Sequence, residues 1–437
     1  MRFLPVLAAL SAALISSGAS AYTLKSLHSF CALADCRDGS QPLGGLVADA
    51  SGDLYGITGR GGKYANGFVQ GGTVFELSPN GDGTWTHTVL HNFCVKASCA
   101  DGNLPFFGMI VDAEGALYGT TQSGGAHNAG VAFKLTPGAG HTSWMYHILY
   151  NFCSLADCAD GDEPSGVLAY QGAASGVAYD GTSPLYATTA GGGTHGEGAV
   201  FRLAPNARGR WSASVLYSFC AASRCTDGDS PRTGVVVDGT GALYGVTYFG
   251  GTKDEGTLFK LTNAGGDAWS ETVLSSFCTE APHCADGERP SAVPVIGGAA
   301  TLYGSTPSGG TNGKAGTLYS YASGSRSVLY DFCPGTTCTD GAQPSVPMIL
   351  DGSGNLFGTT ELGGSDVGPK GGKAFEWNGS YQVIYDFCTV KPHCADGNEP
   401  FSPLLLDSSG NLFGETLAGG TGDVADGGGG TVYELMP

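Results

Sequence analysis

Seven aspartates share one setting, Asp-Gly-x-x-Pro: Asp38, Asp101, Asp160, Asp227, Asp286, Asp340 and Asp396. Such a carboxylate can accept backbone N–H bonds in a turn that glycine at positive φ and proline then shape. Alternatively it faces outward and contributes to a ring of oxygens that binds a ligand, calcium among the candidates. Further acids lie close by at Asp162, Glu163, Asp229, Glu288 and Glu399. None of these segments has the spacing of a known calcium loop. No metal-ligand set is therefore assigned, and no cofactor is expected, with calcium the one candidate left open.

A second recurring group is Thr-x-x-Gly-Gly, with Thr58, Thr121, Thr189, Thr247, Thr306, Thr360 and Thr416. Hydroxyls beside bare glycine amides suit sugars or peptides, and equally suit backbone satisfaction between strands. The fourteen aspartates and threonines are the candidate binding residues. No catalytic residue is assigned. The sequence holds no nucleophile elbow, no phosphate-cradling loop and no histidine pair with a carboxylate. Symmetry-breaking copies remain the places where an active site could sit: Tyr170, Tyr179, His195 and Glu197 in the third, and Glu415, Asp423 and Asp426 in the seventh.

The fourteen cysteines form seven local pairs. Cys31 goes with Cys36, Cys94 with Cys99, Cys153 with Cys158, Cys220 with Cys225, Cys278 with Cys284, Cys333 with Cys338 and Cys388 with Cys394. An even count, regular pairing and an export signal read as disulfides. Two thiolates are half of a tetrahedral zinc site, and no second pair recurs nearby.

These motifs recur with first cysteines 55 to 67 residues apart. Between them lie short apolar or alternating segments punctuated by Gly, Asp, Pro and Asn, which is strand-and-turn chemistry. In the first copy the strands are expected at Gly45 to Asp49 (A), Leu54 to Thr58 (B), Thr73 to Leu77 (C) and Thr88 to Phe93 (D). Seven such units predict an all-β, seven-bladed β-propeller of four-stranded blades. Tyr22 to Phe30 matches strand D alone, and Thr431 to Leu435 matches a strand C with no D after it. The last blade is therefore expected to be closed by the N-terminal strand, leaving no open edge. The third copy carries an insertion around Gln171 to Gly181. Leu-Tyr-Gly and the Phe before each first cysteine read as core. Trp85, Trp144, Trp211, Trp269 and Trp377 read as rim packing in the C–D turns.

The composite pattern of Asp-Gly-x-x-Pro, Asp351 to Thr360 (Asp-Gly-Ser-Gly-Asn-Leu-Phe-Gly-Thr-Thr) and Gly72-Thr-Val-Phe75 resembles the GloVer tandem-repeat family of exported bacterial proteins. The resemblance covers residues 22 to 437. It implies a propeller-like repeat and export, and no particular activity. The cysteine pairs depart from the family's usual polar residues.

Composition agrees. There are 74 glycines in 437 residues, 14% charged residues and a net charge of -19. That charge excludes non-specific binding to nucleic acid or anionic lipid. Residues 1–21 read as a secretory signal peptide with cleavage after Ala21, and no membrane span is expected. The mature chain is expected to be a secreted or periplasmic monomer, one domain from 22 to 437, that binds a glycan, peptide or protein. The alternative is an extracellular polysaccharide hydrolase or lyase with acidic residues near the central channel.

Overall fold

Alternating apolar segments pair as antiparallel strands throughout the computed structural model, which describes residues 22–63, 71–311, 315–335, 337–363, 371–422 and 428–437. Residues 1–21, expected as a signal peptide, and Asp423 and Asp426 lie outside the described residues. Seven sheets follow one another around a ring. In the first blade, A is split into Ser40–Pro42 and Val47–Ala48, B is Leu54–Arg60, C is Thr73–Pro79 and D is Trp85–Asn92. The seventh blade is composite. The N-terminal strand Thr23–Ser29 pairs antiparallel with Thr431–Met436, from Thr23 opposite Met436 to Ser29 opposite Thr431.

Strand A is shorter than expected, with only two residues in blades two, five and six. Near the centre the A segments of adjacent blades come close: Val167 and Gly234 form a parallel bridge, and a Cβ on Gly166 would strike the backbone of Thr233 and Gly234. No helix among the described residues is long and apolar enough to cross a membrane.

Two aromatic series join the blades. The Phe before each first cysteine packs against the central aromatic of the next blade's strand C. Phe30–Phe75, Phe93–Phe133, Phe152–Phe201, Phe219–Phe259, Phe277–Tyr319, Phe332–Phe375 and Phe387–Tyr433 have centroids 5.0–5.7 Å apart. Each such pair adds about 1 kcal/mol to the burial of its rings. An outer belt joins successive D strands: His28 stacks on His87, His91 on Tyr146, and Tyr330 on Tyr381. Arg326 occupies the same belt position in blade five and donates to Ser275 Oγ and to the Asp286 carbonyl.

All seven cysteine pairs are disulfides, as the spacing predicts. Cys31 is bonded to Cys36, Cys94 to Cys99, Cys153 to Cys158 and Cys220 to Cys225. Cys278 is bonded to Cys284, Cys333 to Cys338 and Cys388 to Cys394. Their Cα atoms lie 4.0–4.2 Å apart. Each bridge closes the loop leaving strand D. Cys36, Cys99, Cys158 and Cys225 each end a single 3-10 turn, a tight reversal that brings the second sulfur back to the first.

The tryptophans of the first four C–D hairpins pack on the preceding blade, as Trp85 does on Phe413 and Trp144 on Tyr55. Tyr179 is fully buried between Tyr118 and Tyr170, so these third-copy tyrosines belong to the core.

Candidate functional site

The D–A loops and the B–C loops share one face of the ring. Gly62, Gly125, Gly193, Gly251, Gly310 and Gly420 each donate an N–H to the carbonyl of a second cysteine: Cys36, Cys99, Cys158, Cys225, Cys284 and Cys394 respectively. These bonds tie the two loop sets together. The candidate aspartates lie under this face. Six are 2–5% exposed, and Asp340 is half-buried. Each folds back on its own disulfide loop. Asp38 accepts from the Ala32 and Leu33 amides, and Asp101 from those of Val95 and Lys96. Asp160 accepts from Ser154 and Leu155, and Asp227 from Ala221 and Ala222. Asp286 and Asp396 do likewise, and Asp340 takes the Cys333 amide, because Pro334 has none to give. Burial alone would raise the carboxyls of Asp38, Asp160 and Asp286, but the hydrogen bonds outweigh it and hold them below the ordinary range.

The candidate threonines are all 0% exposed. Six donate to the carbonyl two residues on, at 2.8–3.0 Å. Among the described residues Thr189 Oγ1 has no hydrogen-bond partner. The fourteen residues therefore form the frame under the loop face. Among the described residues the one grouping of possible metal ligands is Cys278, Cys284 and Glu288, and its two sulfurs are bonded to each other.

What the face presents is a different set. The residue before each motif proline is never glycine, yet always has positive φ: Gln41, Leu104, Glu163, Ser230, Arg289, Gln343 and Glu399, at 52–58°. Such a conformation costs about 1 kcal/mol or more and is held only where surroundings enforce it. Here they do. Every one of these residues donates its N–H across the blade seam, at 2.8–3.2 Å, to Gly429, Gly71, Ala129, Glu197, Glu255, Ala315 and Gly371 respectively. Seven equivalent backbones thus carry seven positions whose side chains differ. The signal was present in the motif, at its second variable position, but spacing alone does not reveal a left-handed backbone.

The ring of loops is uneven. Over blades two to four it opens into a cavity of about 490 Å³, lined by Phe107, Gln122, Asp162, Glu163, Arg232, Ala190, Gly191 and Gly192. Blade four fills the corresponding loop with Tyr248 and Phe249, where blade three has only Ala190 and Gly191. Arg232 is held over the Tyr248 ring at 4.6 Å. Burial raises the Asp162 carboxyl. Glu197, next to the lining residue Gly196, is raised first by the neighbouring Asp229 and then by burial. The carboxyls of Asp162 and Glu163, a guanidinium and an amide can hold a polyhydroxylated ligand.

The other suspect acid, Glu415, lies away from this cavity on strand B of blade seven. It is fully buried, with Oε2 accepting from the Gly45 amide of blade one at 2.8 Å and Oε1 unpartnered among the described residues. Burial pushes its carboxyl up to about 8.

Solved structures resemble the chain at low identity. An α-L-arabinanase of Penicillium chrysogenum complexed with arabinobiose is 11% identical, with a TM-score of 0.45, 95% of this chain covered and 98% of that one. A sialidase of Trypanosoma rangeli is 8% identical with a TM-score of 0.39. There 82% of this chain is covered, and this chain spans 57% of the sialidase. No curated protein matches in sequence. The repeat described as Gloeobacter/Verrucomicrobia repeat matches residues 13–184 and 174–425, nearly the whole chain, and the protein belongs to that family.

Proposed function

We propose that the protein is an exported glycan-binding module whose ligand enters the cavity over blades two to four. The observation that carries this reading is the uneven loop face. Seven equivalent, rigidly held positions bear unlike side chains, and the face opens where Ala190 and Gly191 leave room. About 490 Å³ falls within the size of small-ligand sites. Sugar hydroxyls call for closely spaced donors and acceptors, which Asp162, Glu163, Gln122 and Arg232 supply, and Phe107 offers an apolar surface. Seven disulfides fit an oxidising compartment outside the cytoplasm.

The test is binding of the mature protein to a broad glycan array, with and without calcium, beside Arg232→Ala. Selective binding that Arg232→Ala removes is expected. Absence of binding in both conditions overturns the reading. Loss of binding on calcium removal would give the loop acids a ligand role.

A second reading, hydrolysis of an extracellular polysaccharide, draws on the Glu197–Asp229 pair. Glycosidases pair a protonated acid with a second carboxylate. Release of new reducing ends from a polysaccharide, abolished by Glu197→Gln, would favour it over binding alone.

A further inference from the structure

The outer belt has a gap. The belt position of each blade lies opposite the same strand C register: His87 opposite Leu77, Tyr146 opposite Leu135, Glu271 opposite Leu261, Arg326 opposite Tyr321, Tyr381 opposite Trp377 and, in blade seven, Leu24 opposite Leu435. In blade three that position, opposite Leu203, is Ala213. Tyr150 of blade two therefore has no side chain to stack on across the seam, as His91 has in Tyr146 and Tyr330 has in Tyr381.

Along this seam runs a groove of about 620 Å³. It is lined by Lys134, His147, Arg210 and Trp211, with Ile148 and Leu149 as apolar floor. Its charge runs against the composition of the chain. Acids outnumber Lys and Arg by 39 to 20, yet no carboxylate lines this groove. Lys134 is partly committed, 3.7 Å from Asp112 and over the Tyr118 ring. The exposed Arg210 guanidinium has no partner among the described residues. Trp211 is fixed by packing on Tyr118 of the neighbouring blade, with part of its ring left to solvent. An unpaired guanidinium recognises a carboxylate bidentately, and a fixed indole offers a flat apolar platform beside it.

We infer that this groove is a second binding site, separate from the mouth of the ring, for a carboxylate-bearing sugar chain such as a run of uronic acids. Arg210 and Lys134 take the carboxylates, and Trp211 takes the apolar face of a sugar ring. The groove lies between two blades, and its volume of about 620 Å³ holds more than a single compact anion.

The experiment titrates the folded protein with an oligogalacturonate and with a neutral oligogalactose of equal length. The expected result is binding of the acidic chain that weakens with added salt. Arg210→Glu, an exposed change that leaves the fold intact, should weaken it about tenfold or more, a difference of about 1.4 kcal/mol. Trp211→Phe should weaken it less, and Arg232→Ala at the ring mouth should leave it unchanged. Equal binding of the neutral chain, no binding of the acidic one, or binding indifferent to Arg210→Glu overturns the site. A polyglutamate peptide that competes as well as the sugar overturns the choice of a sugar. Loss of binding in Arg232→Ala but not in Arg210→Glu places the acidic chain at the mouth instead, and so separates this inference from the proposed function.

Discussion

His28 and His87 stack ring on ring, with centroids 4.1 Å apart and planes 3° apart, across the seam between the N-terminal strand and the first blade. The ring is thus shut twice at this point, by the strand ladder to Thr431–Met436 and by side chains that repeat the contacts of the other seams. Burial holds His87 down near 3, so both stacked rings need not carry charge together at neutral pH.

The closing strand should then count as much as any internal one. Phe30 and Phe219 are both 0% exposed and hold equivalent places in their seams. Phe30→Ala and Phe219→Ala are each expected to cost about 3–5 kcal/mol in denaturant unfolding. A cost near zero for Phe30→Ala alone would show that the N-terminal strand is dispensable.

Glu415 gives stability a pH dependence. Its folded carboxyl sits near 8, against 4.5 ordinarily, so the folded state holds the proton more tightly. That contribution is complete below about pH 4.5 and is lost as pH rises to about 8, amounting to about 5 kcal/mol. Melting followed from pH 4 to pH 9 should show a decline over this window that Glu415→Gln flattens. Parallel curves for the two proteins would contradict the assignment.

The loop aspartates can be sorted by one comparison. Asp160 accepts from Tyr150, from the Ser154 hydroxyl and amide, and from the Leu155 amide. Asp160→Ala should cost about 2–3 kcal/mol by leaving buried donors unmatched. It should leave ligand affinity unchanged at temperatures where the protein stays folded. Unchanged stability with lost binding would make the carboxylate a ligand contact.

Filling the belt gap should stabilise. Ala213→Tyr places a ring beside Tyr150, and by analogy with Tyr146, whose hydroxyl donates to the Asp101 carbonyl, a donor toward Asp160. The gain expected is about 1 kcal/mol, read as a higher melting temperature. A destabilised variant would mean that the seam cannot admit the ring.

Much of this molecule was legible in residue order. Period-two alternation, turn residues at fixed offsets and repeated cysteine pairs are local signals, and they identified seven blades, their closure by the first strand and the seven disulfides. The Asp-Gly-x-x-Pro and Thr-x-x-Gly-Gly motifs were likewise found, and both repeat because they form the frame of the loop face. Which side chains that frame presents was decided only by folding. The left-handed backbone at Gln41, Glu163 or Arg289 depends on an N–H bond to a residue of the preceding blade. The cavity depends on Ala190 and Gly191 of the third copy lying beside Arg232 of the fourth and Gln122 of the second. The gap at Ala213 shows only against the register of six other seams. Contacts between repeats join residues far apart in the chain, and a single sequence carries no record of which ones meet.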